Sequence, residues 1–193
     1  MEIIYFGKPY SFTHVAALRR FGENHKYVSS NTLTETIEMV ALKPNATAVV
    51  PIENTTGGII YDTVDILTTD KYLRSKLSIL EELELHVRLF LLSKKPIKLS
   101  QVNKIYSHEY ALKRADPWIK NHLPSGVEIE RLVSTSEAAQ LVKKAKYSCA
   151  IASSEAAGYY GFRKLKEIVI PGKRNLTRFF VIGINGNSKK RVL

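Results

Sequence analysis

The stretch Leu77-Ser-Ile-Leu-Glu-Glu-Leu-Glu-Leu-His-Val-Arg-Leu-Phe-Leu-Leu92 decides the interpretation of the fold. At its centre every second residue from Leu83 to Leu89 is apolar. A period of two is typical of a half-buried β-strand, and this run is longer than the usual strand of about five or six residues. We therefore interpret it as a crossing, in which the chain leaves one lobe of the molecule and enters another.

Outward from this stretch, short apolar segments alternate with helical patterns. Such alternation favours an α/β fold with mixed, mainly parallel sheets. Thr32 with Glu35, and Ser134 with Glu137, have the spacing of helix capping boxes. Strands are predicted at residues 2–6, 26–29, 47–52, 102–106, 127–133, 149–152, 166–170 and 177–184.

A second crossing is predicted near residues 166–171, where the chain returns to the first lobe. We predict one lobe from residues 1–80 plus 170–193 and the other from residues 81–169. In open α/β folds, ligands bind in a crevice at the carboxyl ends of the strands. The candidate site is therefore expected in a cleft between the lobes.

Composition and charge limit the classes of partner. The 193 residues include 29 Lys+Arg and 18 Asp+Glu, a formal net charge of +11 that attracts anionic molecules. The chain lacks the motifs of common nucleic-acid-binding modules, so a nucleic-acid partner is an unsupported alternative. No apolar run approaches the roughly 20 residues that span a bilayer, and no membrane partner is expected. The single Cys149 suits a reducing compartment, and we predict a cytoplasmic location.

Polar residues gather where predicted strands end. Five such stretches each precede a predicted helix, whose N-terminus favours anions: residues 7–14, 51–58, 107–110, 134–137 and 153–155. Helix capping explains Ser134 and Ser153 equally well. The run Glu53-Asn-Thr-Thr56 carries more polar groups than one cap requires.

Several chemistries are excluded by missing motifs. The chain has no Walker loop, no Gly-x-Gly-x-x-Gly after a strand and no Gly-x-Ser-x-Gly elbow. The five histidines lack metal-ligand spacing, so no metal site is expected. The remaining candidates are hydroxyls, an amide, and the polar pair Thr177 and Arg178 at the start of an apolar strand.

These residues carry a resemblance to a known family. The run Asn175-Leu-Thr-Arg-Phe179, with Pro51-Ile-Glu-Asn-Thr-Thr-Gly-Gly58 upstream, resembles the catalytic domain of the prephenate dehydratases. Further stretches that match, in the family's order, are Ser11-Phe-Thr-His-x-Ala-Ala17, Ser107-His108, Ser134-Thr-Ser-Glu-Ala-Ala139 and Ala150-Ile-Ala-Ser-Ser-Glu-Ala-Ala157 with Tyr160-Gly161. The resemblance covers nearly the whole chain.

The resemblance implies a fold, a reaction and a set of residues. The fold would be similar to that of two-lobed (type II) periplasmic binding proteins. The reaction converts prephenate to phenylpyruvate, water and carbon dioxide in phenylalanine biosynthesis, without a metal or organic cofactor. Thr177 would assist departure of the ring hydroxyl, and Arg178 would pair with a substrate carboxylate. The residues expected to bind the dianion are Ser11, Thr13, Asn54, Thr55, Ser107 and Phe179.

Three departures from the family pattern leave alternatives open. Tyr10 stands where the family has a glycine, and Glu109-Tyr110 stands where it commonly has Pro-Gln. Glu109 is a candidate partner for an ammonium group, which leaves arogenate as an alternative substrate. A non-catalytic module that binds a small anion is the other alternative. The chain ends soon after Gly183, so feedback control by an ACT-type domain is not expected within it. A homodimer is expected, with no interface assigned.

Overall fold

The computed structural model describes residues 1–132, 138, 141–142, 146–172 and 174–185. The predicted cap at Ser134 and Glu137 lies outside the described residues. Helices are α1 (Phe12–Phe21), α2 (Leu33–Ala41), α3 (Tyr61–Thr69), α4 (Lys71–Lys76), α5 (Glu109–His122) and α6 (Ser154–Tyr160), with a 3₁₀ turn at Leu99–Gln101. Strands are β1 (Glu2–Phe6), β2 (Lys26–Ser30), β3 (Ala46–Asn54), β4 (Gly58–Ile59), β5 (Leu77–His86), β6 (Leu89–Ser93), β7 (Lys104–His108), β8 (Glu128–Leu132), β9 (Ser148–Ala152), β10 (Arg163–Ile168) and β11 (Leu176–Ile184).

The chain divides into two compact units. The first contains Met1–Lys8, Phe12–His86 and the segment from Leu176 onward, and the second contains Pro9–Ser11 and Val87–Asn175. The alternating stretch of residues 77–92 is thus split into β5 in the first unit and β6 in the second. The predicted boundary at residue 80 falls inside β5, and the one at residue 170 falls shortly after β10.

Each unit contains one mixed sheet. The first sheet has the order β2-β1-β3-β11-β5, with the short β4 paired to β3. Strand β1 is parallel to β2 and β3, whereas β11 is antiparallel to both β3 and β5. The second sheet has the order β10-β6-β9-β7-β8, parallel around β7 and antiparallel around β6. Antiparallel pairing is more extensive than the strand–helix alternation predicts. The strands next to the crossings form antiparallel pairs, β5 with β11 and β6 with β10. Strands β11 and β6 are also antiparallel to their other neighbours, β3 and β9.

Apolar side chains of helices and strands form a core in each unit. In the first unit, Ile37 and Val40 of α2 pack with Val50 of β3 and Ile182 of β11, and all four are fully buried. In the second unit the core includes Leu92, Ala150, Ala152, Ala156 and Tyr160. Burial of each of the larger apolar side chains stabilises the folded state by roughly 1.5–3 kcal/mol. The cores fix the strands whose ends carry the candidate site.

The predicted cap of α2 is confirmed. The backbone N–H of Glu35 donates to Thr32 Oγ1 at 3.0 Å, which satisfies one of the free donors of the first turn. The Glu35 carboxylate accepts from the N–H of Asn31, one residue before the cap. The helix therefore begins where the sequence pattern indicated.

Candidate active site

Thr177 and Asn54 form a hydrogen-bonded pair at the ends of two neighbouring strands. They lie opposite each other in the antiparallel ladder between β11 and β3, and Asn54 Nδ2 is 2.7 Å from Thr177 Oγ1. The Thr177 side chain is buried, with 7% of its surface exposed. Its partner across the other ladder is the apolar Leu85 of β5. The hydroxyl thus lies in a mostly dry setting beside one amide.

The amide of Asn54 has a defined orientation. Its Oδ1 accepts from the backbone N–H groups of Thr56 and Gly57, at 2.7 Å and 3.2 Å. Those two donors identify the acceptor oxygen, so the Nδ2 amino group is the side that faces Thr177. The same Nδ2 also donates to the carbonyl of Leu176 at 3.2 Å. Asn54 therefore both closes the turn after β3 and contacts the start of β11.

Thr55 adds two more bonds between this turn and β11. Its N–H donates to the Leu176 carbonyl at 3.0 Å, and its Oγ1 accepts from the Leu176 N–H at 3.1 Å. The predicted residues Asn54, Thr55 and Thr177 are thus brought together by the structure. Thr55 is exposed, whereas the hydroxyl of Thr177 is enclosed.

The pair has a direct chemical consequence for the hydroxyl. A threonine hydroxyl has one proton to donate and two lone pairs with which to accept. Since Asn54 Nδ2 can only donate, it occupies a lone pair of Thr177 Oγ1 and leaves the proton for another acceptor. No acceptor for that proton is found within the described part of the chain. Thr177 is therefore oriented as a hydrogen-bond donor.

Arg178 occupies a different environment from its neighbour. Consecutive residues of a strand point to opposite faces of the sheet, and Arg178 follows Thr177 within β11. Its Nη1 contacts Glu53 Oε2 at 2.9 Å, and its Nε and Nη2 each contact Glu82 Oε1 at 2.6 Å. Strand alternation directs the two side chains to different partners, and the expectation that Thr177 and Arg178 face the same ligand stays a prediction.

The ion pairs alter the protonation equilibria of their members. Hydrogen bonding to Glu82, and then to Glu53, raises the pKa of Arg178 above its already high ordinary value. The bond from Arg178 lowers the pKa of Glu82. All three side chains are more than a third exposed, so solvent screens these interactions.

Two further predicted residues of the first unit are buried. Thr13 lies in the first turn of α1 and has 5% of its surface exposed. Phe179 is among the largest fully buried side chains of the protein, with 1% exposed. Phe179 is a core residue in this structure, and its expected contact with a ligand stays a prediction.

Ser107 and Ser11 belong to the second unit. Ser107 is fully buried at the end of β7, and its hydroxyl donates to the Ile151 carbonyl at 2.7 Å. That bond commits the single proton of Ser107 to the neighbouring strand. Ser11 follows Tyr10, whose ring centroid lies 4.4 Å from that of Tyr159.

Tyr10 has a backbone conformation that suits glycine better than tyrosine. Its φ angle is +61°, in the left-handed region that glycine enters at no steric cost. A tyrosine there carries backbone strain of order 1–2 kcal/mol. The contact with the tilted Tyr159 ring and the second-unit core against which Tyr10 packs offset part of this cost.

Sequence reasoning missed Glu53 and Glu82 as functional candidates. Glu53 lies inside the quoted motif, next to Asn54, and Glu82 lies on the polar side of the alternating stretch. Both contact Arg178 because β11 lies between β3 and β5, with Arg178 opposite Glu53 and Glu84. The sequence shows the glutamates of β5, but it does not show that β5 lies beside β11, which brings Glu82 to Arg178.

A recess of about 280 Å³ lies in the first unit, beside α1 and β5. It is lined by Ala16, Arg19 and Arg20 of the helix and by Glu82 to Leu85 of the strand. Neither Thr177 nor Asn54 lines it, so it is separate from the hydroxyl–amide pair.

The family model for prephenate dehydratase matches residues 3–187 of the chain. The chain belongs to the prephenate dehydratase family. This match includes every residue of the Asn54–Thr177 site and both strands that carry it.

Relatives and solved structures agree with this family. The bifunctional chorismate mutase/prephenate dehydratase of Pseudomonas aeruginosa is 33% identical over 183 residues, which is 95% of this chain and 48% of that protein. The chain thus spans about half the length of the curated relatives it matches. The prephenate dehydratase from Arthrobacter aurescens, solved in complex with L-Phe, is 24% identical, with a TM-score of 0.85 over 96% of this chain and 61% of that one.

A more distant neighbour places the prephenate dehydratase domain in a wider fold group. The methionine-binding protein MetQ is 11% identical, with a TM-score of 0.51 over 98% of this chain and 86% of its own. Similarity at this level shows the fold and nothing about the ligand. The α/β fold with two mixed sheets, resembling the periplasmic binding proteins, is therefore confirmed.

Proposed function

We propose that the chain is a prephenate dehydratase, which converts prephenate to phenylpyruvate, water and carbon dioxide. Family membership supports the reaction, and the Asn54–Thr177 pair is the observation that carries it. The pair presents a buried hydroxyl with its proton free to donate, which is the group that the reaction requires.

The reaction needs little covalent chemistry from the protein. The bond between the ring and the departing carboxylate breaks, and its electron pair moves through the ring and expels the ring hydroxyl. The products are an aromatic ring, carbon dioxide and a hydroxide that takes up a proton to become water. Thr177 donates a hydrogen bond to the departing oxygen as its negative charge develops. Threonine is a weak acid at its ordinary pKa, so it acts as a placed donor, with the proton supplied finally by solvent.

Asn54 serves this step by fixing the direction of the Thr177 proton. In this proposal it is a positioning residue, since its amide contacts Thr177 and the turn after β3. A donor that is already oriented needs no reorganisation when charge develops on the substrate. The net charge of +11 favours the approach of a dianionic substrate. The predicted substrate contacts that the structure leaves untested are those of Arg178 with a carboxylate and those of Ser11, Thr13, Asn54, Thr55, Ser107 and Phe179.

The test is turnover of prephenate, followed as phenylpyruvate, by wild type and three variants. We expect Thr177→Val to lower kcat by about 10²-fold or more, as loss of a single transition-state donor does. Thr177→Ser keeps a hydroxyl and should retain activity within about tenfold. Thr68→Val removes a hydroxyl that bonds only to the backbone of α3, and it serves as the matched control.

Two outcomes would contradict the proposal. If the wild type converts neither prephenate nor arogenate faster than buffer does, the catalytic role is wrong and the alternative of a non-catalytic binding module is favoured. If Thr177→Val matches wild type, the donor role is wrong. Arogenate is assayed in parallel, and turnover of arogenate that equals or exceeds that of prephenate would reverse the choice of substrate. Glu109 is exposed at the first position of α5, where the helix dipole already favours a carboxylate without any ammonium partner.

The chain is further proposed to act as a homodimer in the cytoplasm. A biosynthetic reaction on a soluble dianion and a single, buried Cys149 support a reducing compartment. Among the residues the structure describes, no helix has both the length and the apolar character needed to cross a membrane. The molar mass from light scattering during size-exclusion chromatography tests the dimer, and cell fractionation tests the compartment.

A further inference from the structure

Three strands of the first sheet are joined by the side chain of Arg178. From β11, its guanidinium contacts Glu53 of β3 on one side and Glu82 of β5 on the other. Glu82 lies opposite Phe180, two residues along β11, so the arginine reaches it diagonally on the same face. We call Glu53, Arg178 and Glu82 the three-strand ion cluster.

The cluster lies where the ladder between β11 and β3 is irregular. The register shifts between Arg178 and Phe179, which lie opposite Glu53 and Pro51, so Ile52 is left without a partner in β11. Pro51 also has no N–H to donate to the ladder. Backbone pairing therefore holds β11 and β3 together less well just beyond the Asn54–Thr177 pair. A side-chain bridge at this point replaces part of the missing constraint.

The charges in the cluster leave little for a ligand. Two carboxylates and one guanidinium sum to −1, and the three contacting nitrogens of Arg178 are already in short hydrogen bonds. Withdrawing Arg178 from the cluster would leave the carboxylates of Glu53 on β3 and Glu82 on β5 without their ion-pair partner.

We propose that Glu82 is a positioning residue for the dehydratase reaction, which holds Arg178 and thereby the adjacent Thr177 in place. This proposal rests on the proposed function and adds a residue to it. Arg178 links the three strands in this proposal, and its expected pairing with a substrate carboxylate stays a prediction. Because Thr177 and Arg178 share a peptide bond, a shift of the arginine moves the donor hydroxyl as well.

The test compares Glu82→Gln with Glu84→Gln in the full chain. Glu84 lies on the same strand, directly opposite Arg178, but makes no ion pair with any residue the structure describes. We expect Glu82→Gln to lower kcat about tenfold with KM for prephenate nearly unchanged, since small displacements of a catalytic group are costly. Glu84→Gln should behave as wild type. The double variant Glu82→Gln/Arg178→Met should be no slower than Arg178→Met, because both changes remove the same link.

Three results would overturn the proposal. A lower KM in Glu82→Gln with unchanged kcat would show that Arg178 is a substrate ligand restrained by Glu82. Equal kinetics in Glu82→Gln and Glu84→Gln would show that the cluster has no part in the reaction. A purely structural role would shift the melting temperature of Glu82→Gln and leave its kcat at the wild-type value, which also contradicts the proposal.

Amide hydrogen exchange tests the role of Glu82 independently of whether the chain is a prephenate dehydratase. Exchange at residues 176–179 should be faster in Glu82→Gln than in Glu84→Gln, whether or not prephenate is turned over. A wild type without turnover would refute the proposed function, and the exchange rates would still decide whether Glu82 constrains β11. Equal exchange rates in the two variants would refute the constraint.

Discussion

At the scale of single residues, the orientation of one amide determines what the Thr177 hydroxyl can do. Asn54 is held by two backbone donors at its oxygen, so its nitrogen faces Thr177. Replacing that nitrogen by oxygen is a change of one atom that reverses the direction of the hydrogen bond. The reversal can be tested without altering the size of the side chain.

We expect Asn54→Asp to lower kcat by about 10²-fold, close to the effect of losing the hydroxyl. The new carboxylate still accepts from Thr56 and Gly57, so the turn should be kept, but it draws the Thr177 proton toward itself. Steady-state kinetics and the melting temperature are measured together. The control is Asn31→Asp, where the amide oxygen accepts from Lys8 and a carboxylate does the same. An active Asn54→Asp enzyme would refute the idea that donor direction matters.

At the scale of secondary-structure elements, the loop between β1 and α1 contains a strained residue. Tyr10 has a positive φ, and its neighbours Pro9 and Ser11 belong with it to the second unit. Two contributions to stability can be separated there: the backbone strain and the contact of the ring with Tyr159.

We predict that Tyr10→Gly is more stable than Tyr10→Ala by about 1 kcal/mol, because only alanine keeps the penalty of a positive φ. Both variants lose the ring contact, so the difference between them reports the backbone. Tyr72, an exposed residue within α4, is the control. There alanine should be the more stable substitution, since glycine is the poorer helix former. Denaturant unfolding measures the free energy of unfolding of the glycine and alanine variants at both positions. If alanine is the more stable substitution at Tyr10 as well as at Tyr72, the assignment of strain to Tyr10 is wrong.

Several elements could be predicted from the sequence because their signals are local. The alternation from Leu83 to Leu89 indicated strand structure, and Thr32 with Glu35 indicated a helix start. The motifs that contain Asn54 and Thr177 could be singled out by their resemblance to the family. Their mutual hydrogen bond depends on the register between β3 and β11, which is set by partners far apart in the chain.

The position of Arg178 could not be predicted for the same reason. The family resemblance implied that it pairs with a substrate carboxylate, which stays a prediction, whereas its ion pairs with Glu53 and Glu82 follow from the strand order β3-β11-β5. Sequence patterns identify which residues lie in a strand. They do not state which strand lies beside it.

At the scale of the whole molecule, a buried histidine makes stability depend on pH. His14 of α1 is 7% exposed and stacks on Tyr5, with ring centroids 4.2 Å apart. Burial lowers the pKa of His14 to about 4. In the unfolded chain the same group has an ordinary pKa of about 6.5.

The sign of the effect follows from proton binding. Between pH 6.5 and about 4 the unfolded chain binds a proton at His14 that the folded chain does not, so stability falls as pH falls through this window. We expect the melting temperature of wild type to drop more between pH 7 and pH 4.5 than that of His14→Phe, which keeps an aromatic ring against Tyr5. Burial also lowers the pKa of His108. Because His108 is present in both proteins, its effect on the melting temperature cancels in the comparison.

The exposed His86 provides the control. His86→Gln should lose stability with pH as wild type does. A His14→Phe protein whose melting temperature falls as steeply as that of wild type would show that burial of His14 does not cause the acid sensitivity.

The order of strands in the first sheet also bears on how the chain is synthesised. Strand β11 lies between β3 and β5, yet it is separated from β5 in sequence by nearly the whole second unit. On the ribosome, residues 87–175 emerge before β11, so the second unit can fold while the first sheet still lacks an interior strand. Thr177 joins Asn54 only after β11 has been translated. A nascent chain that stalls before residue 176 is therefore without its donor hydroxyl and exposes two unpaired strand edges, which makes it a substrate for chaperones rather than an early form of the enzyme.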